Sequence, residues 1–128
     1  MLAVQEGAPG VFRVHYRTSS DLDAALQADL VRAVERSAAG GHTAIIFVLE
    51  PGIRTVDIAV PTYWLGVTAR PELKLAAMAI VTRSMGVRTA AKGFALANTV
   101  RRLALEVRTF EEEGAALDWA RGVIQRGP

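Results

Sequence analysis

The sequence predicts an α/β fold: an open, mainly parallel four- to five-stranded sheet with strands and helices alternating along the chain. Three observations carry this. Short apolar or alternating runs suited to strands recur at 11–17, 43–49, 75–82 and 103–108. Segments with apolar residues at helical spacing separate or follow them. Glycine, proline or a capping residue stands at most of the junctions, and such an order builds parallel sheets through right-handed crossovers.

In the first run Phe12, Val14 and Tyr16 fall on one side and Arg13, His15 and Arg17 on the other. Period two is the mark of a strand with one wet face. Leu22, Leu26, Leu30 and Val34 then recur at helical spacing, with Ser20 placed to cap and Asp23 to reach back to it. Gly40 and Gly41 supply the stop. The run from Thr43 to Leu49 is apolar and β-branched, as in a strand covered on both faces, and Pro51-Gly52 breaks it.

Pro61 can open a helix running to Thr68 or Ala69, which Pro71 forbids from continuing. Leu75 to Thr82 reads as a buried strand, although its alanines also suit a helix. Ser84 caps a helix with Val87, Ala90, Ala91, Phe94 and Ala97 inward and Arg88 and Lys92 outward. Gly93 costs that helix ~1 kcal/mol relative to alanine, and is expected to allow close packing on the sheet. Leu103, Leu105 and Val107 alternate as a strand, and Thr109-Phe110-Glu111-Glu112 forms a capping-box pattern before Ala116, Leu117, Ala120 and Ile124.

With 128 residues, 51% apolar and 22% charged, one domain with one core is expected over 10–126, after a loose N-terminal lead-in at 1–9. There are no cysteines, which excludes disulfides and thiolate metal sites and fits a reducing, cytoplasmic setting. No apolar run approaches the ~20 residues of a membrane span, and the N-terminus, with Glu6 and no basic region, does not resemble a secretory signal.

Charge is uneven. Between Arg70 and Arg108 eight basic residues stand against two acids, Glu72 and Glu106, enough to draw an anionic partner unless they line a solvated helix face. The aromatic interleaving of a nucleic-acid module does not accompany them, so nucleic-acid binding is not expected.

The residue types that do chemistry are sparse. His15 and His42 have no nearby ligand at metal spacing, so no metal or other cofactor is expected. Ser19, Ser20, Ser37 and Ser84 are the only serines, and no Gly-x-Ser-x-Gly occurs. Ser84 follows a predicted strand at the sheet's carboxyl end. With Arg83 and Arg88 beside it, it is a candidate anion site as well as a cap. Glu111, Glu112 and Glu113 read as exposed acids complementing a helix N-terminus, and Glu50 and Asp57 form only a weak acidic pair. Tyr63 and Trp64 either line a partner or ligand surface or pack on the core. No catalytic residue is expected.

Four segments together resemble the bacterial STAS-like proteins related to anti-sigma-factor antagonists, including small stand-alone forms grouped with lipid-binding CRAL-TRIO domains. They are the strand at 11–17, the 44–49 run broken by Pro51-Gly52, the 77–82 strand before Ser84, and the ending Val107-Arg108-Thr109-Phe110-Glu111-Glu112 with Ala116-Leu117-Asp118-Trp119-Ala120. The resemblance spans about residues 10 to 125. It implies a STAS-like sheet with helices wound against it, and a non-catalytic, regulatory module that binds a protein, itself included as a homodimer. Lipid or another small hydrophobic ligand is the alternative, and an enzyme with a site near Ser84 or Asp57 the least favoured. Some members are switched by phosphorylation just after a central strand. In 50–57 the usual Asp-Ser pair is missing, and Thr55 is the one hydroxyl left for that role.

Overall fold

The computed structural model describes residues 4–126. The elements run β1 (Val4–Ala8), β2 (Val11–Tyr16), α1 (Ala24–Ala38), β3 (Thr43–Leu49), α2 (Ala59–Thr68), β4 (Leu75–Val81), α3 (Met85–Val100), β5 (Glu106–Phe110) and α4 (Glu113–Arg126). Short 3-10 turns at Ser19–Leu22 and Pro71–Leu73 lead into α1 and β4. The five strands lie in the order β1-β2-β3-β4-β5, with β1 antiparallel to β2 and the rest parallel. This is the open, mainly parallel sheet the alternation predicts.

Each strand's period of two divides its side chains between two cores. Phe12, Val14 and Tyr16, Ile45, Phe47 and Leu49, and Met78 face α1, α2 and α3. Val11, Ala44, Ile46, Ala77, Ala79 and Val81 face α4 alone, through Ala116, Ala120 and Val123. The alanines of β4 are thereby explained. They have little β-propensity, but small side chains on both β4 and α4 let the helix lie close to the sheet.

Several expectations are corrected. The lead-in expected at 1–9 contains β1: Val4 pairs with Val14 and Gln5 with Arg13, while Met1 to Ala3 lie outside the described residues. Its polar residues concealed it, because an edge strand needs little apolar surface. The hairpin turn uses Gly10 at φ +80°, where an added Cβ would also lie 2.8 Å from the His42 carbonyl oxygen. Ser20 does not cap α1. It lies in the 3-10 turn, and Asp23 caps the helix by accepting from the Ala25 N–H at 2.8 Å.

The strand expected from Leu103 begins at Glu106, because Arg102 adopts φ +58° and the Leu103 N–H returns to the Asn98 carbonyl. Thr109 and Phe110 are not a helix cap but the end of β5, paired with Ile80 and Val81. Gly93 does not approach the sheet. It is exposed with open space around its Cα, and the tight glycine of α3 is Gly86, where a Cβ would lie 2.3 Å from the Arg54 carbonyl oxygen.

Candidate interaction surface and apolar cleft

Parallel strands β2 to β5 all end on one side, at Tyr16, Leu49, Val81 and Phe110, so the loops that follow them gather there. Ser84 is fully engaged in that cluster. Its hydroxyl accepts from the Val87 N–H at 3.3 Å, capping α3, and donates to the Arg54 carbonyl at 3.0 Å. Together Ser84 and Gly86 hold the 50–58 connection against the start of α3.

The acids Glu111, Glu112 and Glu113 fan out to three arginines from three places in the chain. Glu111 meets Arg88 at 2.5 Å, Glu112 meets Arg83 at 2.8 Å, and Glu113 accepts from Arg13 through both carboxylate oxygens. The triplet therefore ties the start of α4 to β2 and α3, beyond complementing a helix dipole. It also supplies, from the chain itself, the negative charge that Arg83 and Arg88 would otherwise draw from an anion. Arg70 pairs with Glu35 as well as with neighbouring Glu72, so three of the basic residues of 70–108, Arg70, Arg83 and Arg88, are matched by acids from outside that stretch.

Arg13 holds the Glu113 carboxyl below its usual range, mainly through their hydrogen bond. A depressed carboxylate contributes stability above its unfolded pKa, and the contribution is lost as pH falls through the folded value. Because the pair is partly exposed, Glu113→Gln is expected to cost about 1 kcal/mol or less at neutral pH. Urea unfolding at a series of pH values should show the difference vanishing toward acid; a constant difference would show that the charge plays no part.

Of the other polar candidates, His15, Glu50 and Asp57 have structural partners. His15 Nε2 lies 2.8 Å from Glu50 Oε1, so Glu50 faces His15. Asp57 accepts from the Ala59 N–H at 2.8 Å and closes the first turn of α2. His42 is half-buried at the entry to β3, and Thr55 is exposed in the 50–58 connection. Among the described residues no three His, Asp or Glu side chains gather as metal ligands. None of their helices is long and apolar enough to cross a membrane.

Tyr63 and Trp64 are packed. Trp64 is buried, edge-on to Phe47 at 5.1 Å between ring centroids, and Tyr63 stands edge-on to Trp64 at 5.5 Å. Trp64, Phe47 and Phe94 line an apolar cleft between α2, α3 and the sheet, together with Tyr16, Val60 and Val87. Its free volume is about 80 Å³. Tyr16 donates to Gln27 Oε1 within the same core, and burial pushes its phenol well above the ordinary range.

Outside the cleft lies an apolar feature. α2 and α3 run side by side, joined by Thr68 Oγ1 donating to Asn98 Oδ1 at 3.0 Å and by Arg101 donating to the Leu65 carbonyl at 2.8 Å. Four large apolar residues are exposed on this pair: Ile58 (80% exposed), just before α2, and Met85 (73%), Leu96 (65%) and Val100 (73%) on the outer side of α3. Residues 58–69 include no charged side chain, and 84–105 include no acid. The outer side of α1, by contrast, carries Asp29, Arg32, Glu35 and Arg36, all exposed. The signal was legible: Met85, Leu96 and Val100 recur on the side of α3 opposite Val87, Ala91 and Phe94.

No protein-family model matches the chain, and no curated protein matches it in sequence. Among solved structures it is similar to an uncharacterized protein of the DUF3478 family from Shewanella loihica PV-4, described as having a SpoIIAA-like fold. The TM-score is 0.58 at 13% identity, over 94% of this chain and 92% of that one. At that identity the likeness concerns the fold, and it agrees with the strand order and helix placement above: the chain has the SpoIIAA-like, STAS-like α/β fold.

Proposed function

We propose that this protein is a non-catalytic, regulatory interaction module of STAS-like type in a cytoplasmic setting, which docks a partner protein and also associates with itself. The observation that carries the reading is the outer side of α2 and α3. Large apolar side chains exposed on two adjacent helices, with no charge on α2 and no acid on α3, suit an interface. Lys92, which shares the side of α3 that carries Met85 and Leu96, and Arg101 and Arg102, just beyond Val100, are exposed with no acid in that stretch. The partner that fits is therefore an amphipathic helix with apolar anchors and acidic flanks. Thr55 stands on the connection into α2, where a phosphoryl group would add negative charge near Ile58 and oppose such a partner.

The test compares proteins captured from cell extract by the wild type, by Leu96→Asp and by an α1 control, Arg32→Glu. One protein captured in stoichiometric amount by wild type and control but lost by Leu96→Asp supports the reading. Equal capture by all three, or by none, removes it.

The apolar cleft favours a second reading, a small hydrophobic ligand. Size limits it: an engineered cavity of about 150 Å³ accommodates benzene, whereas this cleft offers about 80 Å³. A ligand as large as a lipid would need α2 to move outward. Native mass spectrometry of protein taken from cells would show a bound mass under this reading, and bare polypeptide would count against it.

A further inference from the structure

We infer that two copies of this chain join through the outer edge of β5, in one antiparallel register that its own charges select. The inference deepens the self-association proposed above and rests on that part of the reading, not on the α2–α3 surface.

β5 ends the sheet and pairs only with β4 among the described residues. The Thr82 N–H donates to the Phe110 carbonyl, so the backbone of residue 110 faces β4. Because backbone groups alternate sides along a strand, those of Glu106 and Arg108 also face β4. The N–H and C=O of Val107 and Thr109 are left pointing outward, and no described residue bonds to them. An edge of this kind is a template for another strand. The opposite edge, β1, is less suited, because its register is broken between Glu6 and Ala8. β5 has no such irregularity, no proline and no glycine.

The sequence of β5, Glu-Val-Arg-Thr-Phe, then decides the occupant and the register. Two copies paired about a two-fold axis form a closed dimer, and residues opposite one another must share a face of the sheet. Centring the axis on Arg108 would set Arg108 against its own copy. Centring it on Val107 sets Glu106 against Arg108 of the second copy, twice by symmetry. Since the outward backbone of Val107 makes Val107–Val107 the hydrogen-bonded pair, Glu106 and Arg108 fall in the non-hydrogen-bonded positions, where side chains approach most closely. Both are exposed, and the present partner of Glu106, Arg126, is 3.4 Å away on the surface, leaving the carboxylate able to take a second arginine. Leu105 would meet Thr109 on the other face.

Sedimentation velocity over a wide concentration range tests this with four proteins: wild type, Glu106→Arg, Arg108→Glu and the double exchange. The wild type should dimerise as concentration rises. Each single change places like charges opposite at both symmetric positions and should weaken association by about tenfold or more. The double exchange restores opposite charges across the axis and should return to within about threefold of wild type. In parallel, the Val107 and Thr109 amides should exchange more slowly at high concentration than at low. A wild type that stays monomeric, single variants that associate like wild type, or a double exchange that recovers nothing would each overturn the pairing. A monomer that still captures a partner lost by Leu96→Asp would remove edge pairing and leave the α2–α3 docking reading standing.

Discussion

Trp64→Ala is expected to lower the free energy of unfolding by about 3–5 kcal/mol, the usual cost of removing a large buried aromatic. Trp64 is buried on the inner side of α2, in edge contact with both Phe47 and Tyr63. Two other core side chains thus lose their neighbour with it. The vacated space would adjoin the existing cleft, so it should be filled in part by a small aromatic solute. Urea denaturation with and without added indole is the measurement. A loss under about 1 kcal/mol would mean that Trp64 lies on a partner surface and not in the core. Recovery with indole would show that α2 holds its place when its anchor is gone.

Gly86→Ala is expected to destabilise by about 1–3 kcal/mol, as overpacking against a fixed neighbour does. The added methyl would be 2.3 Å from the Arg54 carbonyl oxygen, and backbone cannot rotate aside as a side chain can. The 50–58 connection must then leave α3, breaking the bond from the Ser84 hydroxyl to Arg54 as well. Gly93→Ala, seven residues along the same helix, is the control. Its site is open and exposed, so helix propensity should make it stabilising by up to ~1 kcal/mol. Thermal unfolding of both variants tests the contrast. Limited trypsin digestion should show Arg54 cut faster in Gly86→Ala alone. If both changes act alike, the close approach at Gly86 is not what positions the connection that carries Thr55.

Most elements were legible because their signals are local. The alternation of Phe12, Val14 and Tyr16, the apolar run of Thr43–Leu49 and the helical stripe of Leu26, Leu30 and Val34 each state a period within a few residues. β1 was not legible, since Gln5, Glu6 and Gly7 lie exposed on an edge strand and show no apolar pattern. The start of β5 was not legible either, because Leu103 and Leu105 keep the alternation while Arg102 turns the chain. The packing of Ser84 and Gly86 on Arg54 joins residues 30 and 32 positions apart, and no local pattern encodes such a meeting.

By itself the sequence determined the α/β class, the absence of thiol chemistry and the scarcity of groups suited to catalysis, since period and composition are properties of the chain. Only the tertiary structure decided which charges are free. It matched Arg83, Arg88 and Arg13 with three consecutive glutamates, turned the outward groups of Val107 and Thr109 to an unpaired edge, and left Ile58, Met85, Leu96 and Val100 uncovered. The physical reason is that hydrophobic period is fixed by neighbours along the chain. Charge balance and exposure depend on neighbours in space, which exist only once the sheet has formed.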